Sequence, residues 1–176
     1  MKKRLFLLGL CILLLCGCSA TAATTEEMVE LARDKIPVSD AENIQMQAAG
    51  RVDTENNSAL LIVRTGNEWQ AHAYYPVTFE KRGGAYVLTH VAKAMPQAGG
   101  DGCYGCFWGD GYVLLTDNEA CREIRIAYES GEEQTLRVTS LPFVHYDARA
   151  HTDLDGDGQA ETRYAFLDAQ GRELDR

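Results

Sequence analysis

Three cysteines near the middle of the chain have the types and spacing for chemistry. Cys103-Tyr104-Gly105-Cys106 is a C-x-x-C pair, and Cys121 follows fifteen residues after Cys106. Thiols so placed could form a redox couple, part of a zinc site, or a structural disulfide. A redox couple wants the pair at a helix N-terminus, where the helix end lowers a thiol pKa. Here Gly99, Gly100, Gly102, Gly105, Gly109 and Gly111 surround it and no helical pattern follows. Zinc wants a fourth ligand, and the nearest histidines along the chain are His90 and His145. A disulfide stapling the glycine-rich segment to a neighbouring strand is the favoured reading. Its pairing stays open between Cys103–Cys121, Cys106–Cys121 and Cys103–Cys106.

A second cluster is carboxylic. Residues 153–161 read DLDGDGQAE, with Asp153, Asp155 and Asp157 at alternate positions and Gly158 after them. Three acids so close repel one another unless a cation neutralises them. The run resembles the first half of an EF-hand calcium loop. The resemblance implies Asp153, Asp155 and Asp157 as side-chain ligands, Gln159 giving its backbone carbonyl, and Glu161 at the ninth position. The twelfth position, a bidentate Glu in the EF-hand, is Tyr164, and the residues after it read as a strand. The segment is closer to the short Asp-x-Asp-x-Asp-Gly loops that precede strands in exported repeat and adhesion domains. Calcium held there would be structural, pinning the last strand. The rival reading is a polar Asp/Gly turn.

Elsewhere the chemistry is sparse. His72, His90, His145 and His151 are scattered without a metalloprotease spacing, and no nucleophile elbow, phosphate loop or dinucleotide fingerprint occurs. Asp110 and Glu123 are two acids among 26 and carry no assignment. Tyr74, Tyr75, Tyr104, Phe107, Trp108 and Tyr112 could form an aromatic binding surface, although core and cross-strand pairing is the commoner use.

The first eighteen residues are the most informative. Lys2, Lys3 and Arg4 precede an apolar run over 5–16, interrupted only by Gly9. At twelve residues the run is short of the ~20 a membrane-spanning helix needs, but it suits the core of an export signal. Leu15-Cys16-Gly17-Cys18 then resembles the lipobox of bacterial prolipoproteins. The resemblance implies diacylglyceryl attachment to the Cys18 thiol, cleavage before it, and Cys18 as the mature N-terminus. Ser19 follows, where an Asp would favour inner-membrane retention in two-membrane bacteria. The alternative is an ordinary cleaved signal with Ala20-Thr21-Ala22 as the cut site. Loss of the three leading basic residues takes the basic count from 17 to 14 against 26 acids, so the net charge moves from −9 to −12. That balance argues against nucleic acid and against polybasic lipid binding.

These residues must be positioned by short elements. Residues 18–24 read as a small polar tether. A helix is expected over 25–36, with Thr24 and Glu27 at capping-box spacing and Pro37 as its stop. Strands are expected at 59–64, 69–75, 77–81, 85–91, 107–115, 123–128, 134–139, 143–146 and 162–167. Turns are expected at Gly66-Asn67, Gly83-Gly84 and 168–171, and a loop over 96–106.

The expected architecture is mainly β, an antiparallel sandwich or open barrel with one N-terminal helix, forming a single domain over 25–176 behind the 1–17 signal peptide. From Phe79 onward the chain also resembles small lipoproteins of uncharacterised function, which end in a D-x-x-G-[RK] turn, here Asp168-Ala169-Gln170-Gly171-Arg172. The functional expectation is a lipid-anchored cell-envelope protein facing outside the cytoplasm, in the cell membrane or outer membrane. It would be a non-enzymatic binding or structural domain whose partner is an envelope protein or glycan. The rivals are an envelope thiol–disulfide redox protein using Cys103 and Cys106, and a calcium-dependent adhesion module.

Overall fold

The structure, a computed structural model, describes residues 20–39, 42–54, 56–66, 72–149 and 162–174. Eleven strands and one helix follow in chain order among these residues. They are β1 (Thr21–Ala22), α1 (Thr25–Arg33), β2 (Met46–Asp53), β3 (Ser58–Thr65), β4 (Ala73–Arg82), β5 (Ala85–Val91), β6 (Cys103–Trp108), β7 (Gly111–Thr116), β8 (Glu123–Ala127), β9 (Glu133–Arg137), β10 (Phe143–Asp147) and β11 (Arg163–Leu167). All pairings are antiparallel. A five-stranded sheet runs β1-β5-β4-β3-β2, and two three-stranded sheets run β10-β7-β6 and β11-β8-β9. The chain is therefore mainly β, with one helix and a curled antiparallel sheet that forms a half-barrel.

The long sheet forms because β3 has apolar residues on both faces. Ala59, Leu61 and Val63 pack toward α1 with Val77 and Phe79, while Leu60 and Ile62 pack the other way with Tyr74, Val113 and Leu115. An uninterrupted apolar run is what a strand covered on both sides requires. Each fully buried Leu or Ile adds roughly 1.5–3 kcal/mol. On the second face β2 meets β10 so closely that a Cβ at Gly50 would lie 2.6 Å from Val144 Cγ2. A third cluster, with Ile124, Ile126, Phe166, Leu114, Cys103 and Cys121, joins β7 to the β8 sheet.

At the N-terminus the capping box forms as its spacing predicts. Thr24 Oγ1 accepts from the Glu27 N–H at 3.2 Å, and the Glu27 carboxylate accepts from the Thr24 N–H at 3.2 Å. Met28, Val29 and Ala32 are buried on one stripe. The helix ends at Arg33, sooner than the expected 36, and residues 34–36 form a turn. The expected tether is also shorter, because Thr21 and Ala22 pair with Val87 and Tyr86 on β5.

Two further boundaries differ. The segments 69–75 and 77–81 do not form separate strands, since one strand, β4, runs from Ala73 through Pro76 to Arg82. Its partner β3 ends with Thr65 opposite Ala73, so the connection over 66–72 is longer than a two-residue turn. The segment 107–115 is divided at Gly109, whose φ of +56° opens the turn between β6 and β7.

Candidate functional site

The C-x-x-C is not in a loop. Cys103–Trp108 is strand β6, paired with β7 so that Cys103 lies opposite Thr116 and Cys106 opposite Val113. Side chains three apart on a strand point to opposite faces. Accordingly Cys103 is buried with Ile124 and Phe166, whereas Cys106 packs beside Leu60 and Tyr74. A redox couple over this pair would need both sulfurs on one side. Burial also pushes the Cys103 and Cys106 thiols up to about 11, away from the thiolate that redox and zinc chemistry require. Among the described residues no three His, Cys, Asp or Glu side chains cluster as a metal site.

Cys103 instead shares its pocket with Cys121. Both residues are fully buried. The Thr116 hydroxyl lies 3.6 Å from Cys103 Sγ. Cys121 Sγ donates to the Glu123 carbonyl at 3.6 Å. Of the three candidate pairings, Cys103–Cys121 is the one whose members occupy one cluster, and all three thiols are reduced here.

The loop before β6 builds a cleft on its outer side. Gly102 has φ +77°, and a Cβ there would come within 2.6 Å of Asp117 Oδ1. That conformation and closeness demand glycine. The Thr116 hydroxyl donates to the Gly102 carbonyl at 3.0 Å, and the Asp117 N–H donates to the same carbonyl at 2.9 Å. Asn118 Nδ2 donates to the Asp101 carbonyl at 2.7 Å. The resulting cleft, about 600 Å³, is lined by His72, Gln97, Asp101, Tyr104, Asp117 and Asn118.

Its floor is polar and ordered. The Tyr74 hydroxyl donates to Asp117 Oδ2 at 2.5 Å, and the Tyr74 ring rests against Tyr104 with centroids 4.9 Å apart. Burial, with the Asp117 carboxylate beside it, raises the Tyr74 pKa, so the phenol stays a donor. Arg64 Nη2 lies 2.8 Å from His72 Nε2, and Arg64 Nε is buried without a hydrogen-bond partner among the described residues. The cleft thus offers an imidazole, two carboxylates, a phenol and two amides, with Arg64 against the imidazole. Such an arrangement can hold a small polar ligand.

Sequence reasoning missed Arg64, Asp101, Asp117 and Asn118, which have no motif and meet only through the β3–β4 and β6–β7 pairings. The Asp101-Gly102 and Asp117-Asn118 pairs were the available signal, since acids and amides beside glycine mark tight turns. The aromatic residues singled out above do not share one surface. Tyr74 and Tyr75 are buried, Trp108 Nε1 donates to Thr78 Oγ1 at 2.9 Å, and Tyr112 stacks on Tyr164 with centroids 4.8 Å apart. Phe107 is the exposed one. Cys18 and the acidic run with Asp153, Asp155, Asp157, Gln159 and Glu161 lie outside the described residues.

No protein-family model matches the chain, and neither a curated protein nor a solved structure matches it.

Proposed function

We propose that the chain is a lipid-anchored cell-envelope protein, held outside the cytoplasm by acylated Cys18, and that its domain is a non-enzymatic binding module. The observation that carries the anchor is Leu15-Cys16-Gly17-Cys18 behind a basic start and a twelve-residue apolar run. Strand β1 starts at Thr21, three positions after Cys18. A binding role is supported by the cleft between His72 and Asn118, which brings two carboxylates, an imidazole, a phenol and two amides together.

Metabolic labelling with an alkynyl fatty acid tests the anchor. Label should enter the wild type and vanish in Cys18→Ala. A wild type that takes no label, or label that persists in the variant, overturns the reading. For the cleft, the expected ligands are small and polar or cationic, matching two carboxylates, an imidazole and two amides. Asp101→Ala should abolish binding found by calorimetric screening of such compounds.

A further inference from the structure

We propose that the end of the long sheet at Pro76 and Val91–Ala94, with Phe107 of β6 beside it, rests on the phospholipid bilayer. This rests on the lipid anchor at Cys18, and it adds which face of the domain meets the membrane.

The argument starts from covalent reach. Strand β1 pairs with β5 antiparallel, Thr21 opposite Val87 and Ala22 opposite Tyr86. The chain before Thr21 therefore heads toward the C-terminal end of β5, at Leu88–Val91. Three Cα-to-Cα steps lead from Cys18 to Thr21, and at 3.3–3.6 Å each they span at most ~11 Å. A lipid on the Cys18 sulfur is confined to that end of the sheet. A longer tether would leave the domain free to tumble.

An apolar groove lies at that same end. It is lined by Pro76, His90, Val91, Ala92, Lys93, Ala94, Pro96, Cys106 and Phe107. The groove exists because β5 stops at Val91 while β4 continues. Beyond that point the chain follows β4 irregularly, the Ala92 N–H donating to the Pro76 carbonyl at 2.9 Å and the Met95 N–H to the Tyr74 carbonyl at 2.7 Å. Phe107 sits at its rim with 66 % of its surface exposed, the larger of the two big apolar side chains exposed among the described residues. Exposed aromatic and small apolar residues with a lysine beside them suit the interface between headgroups and acyl chains. Lys93 can keep its ammonium among headgroups while its methylenes lie on apolar surface. The charge of the rest of the domain fits too. A mature chain at −12 is repelled from anionic lipid as a whole, so an apolar contact at the anchored end sets an orientation that charge would not.

The test uses the full, lipidated chain in phosphatidylcholine vesicles containing brominated acyl chains. An environment-sensitive fluorophore is placed on Lys93→Cys, and separately on Arg82→Cys at the opposite end of the β4–β5 hairpin. The unsubstituted chain gives the background from native thiols. The position-93 probe should be blue-shifted and quenched severalfold more than the position-82 probe. Adding Ala94→Asp, an exposed position beside the probe, should reduce that difference. Equal, water-like signals at both positions on protein that still floats with the vesicles would overturn the orientation and leave the anchor standing. Protein that does not float with vesicles would remove the anchor, and the orientation with it.

Discussion

Cys103 and Cys121 are buried in one cluster, while Cys106 faces the opposite side of β6. In an oxidising compartment, a disulfide-donor oxidoreductase or oxidised glutathione would take two electrons and two protons from the Cys103 and Cys121 thiols and leave one sulfur–sulfur bond. Peptide mapping after Asp-directed cleavage should find these two residues joined and Cys106 alkylated. A Cys103–Cys106 bond would contradict the strand geometry. Closing the loop between the pair should add roughly 3 kcal/mol by the chain-entropy account, read as a drop in unfolding midpoint on reduction. Gly102 is the neighbouring constraint. Gly102→Ala should cost about 1–3 kcal/mol, because φ +77° is strained for alanine and the new Cβ meets Asp117. A third test at this scale is pH. Burial lowers the His145 pKa. A histidine whose pKa is depressed on folding binds more protons when unfolded, so its contribution weakens as pH falls below the ordinary value of ~6.5. Denaturant unfolding of wild type against His145→Gln between pH 7 and pH 5 should show the wild type losing more stability.

At the scale of elements, much was legible and the reasons are specific. The Thr24–Glu27 spacing predicted the start of α1 because a capping box is local chemistry. Thr24→Ala should lower stability by about 1 kcal/mol, measured by chemical denaturation. The Gly83-Gly84 turn and the apolar run of β3 were legible because glycine punctuation and continuous apolarity act over a few residues. Three strands were not, β1, β2 and β6; in β2 the alternation is broken where the register shifts between Ala48 and Gly50. The glycines around the C-x-x-C mask its alternation and favour a loop, yet pairing with β7 holds it extended, and Gly105 is required there since a Cβ would lie 2.5 Å from the Tyr112 hydroxyl. The two-residue β1 has no pattern of its own and exists only because β5 offers an edge. Likewise the cleft joins β3, β4 and the turns flanking β6 and β7, residues far apart in sequence, so no local signal announced it.

At the scale of the molecule, the proposed anchor at Cys18 would hold an acidic domain a few residues away. The run from Asp153 to Glu161 joins β10, in the second sheet, to β11, in the third. A calcium ion held there would tie those sheets together, and extracellular calcium is concentrated enough to fill sites of ~10⁻⁴–10⁻³ M. Titrating chelator-stripped domain with calcium should release or absorb heat at millimolar concentration and raise the melting temperature, and Asp155→Asn should weaken both. Absence of heat and of any melting shift would leave the segment as a polar turn.

The account depends most on where and how the mature chain begins. Intact-mass and N-terminal peptide spectrometry of the protein extracted from cell envelopes measures this directly. The predicted result is a chain starting at Cys18 with a diacylglyceryl thioether, and no peptide covering 1–17. Recovery of a chain that retains Met1, or that starts after Ala22 without lipid, would contradict it.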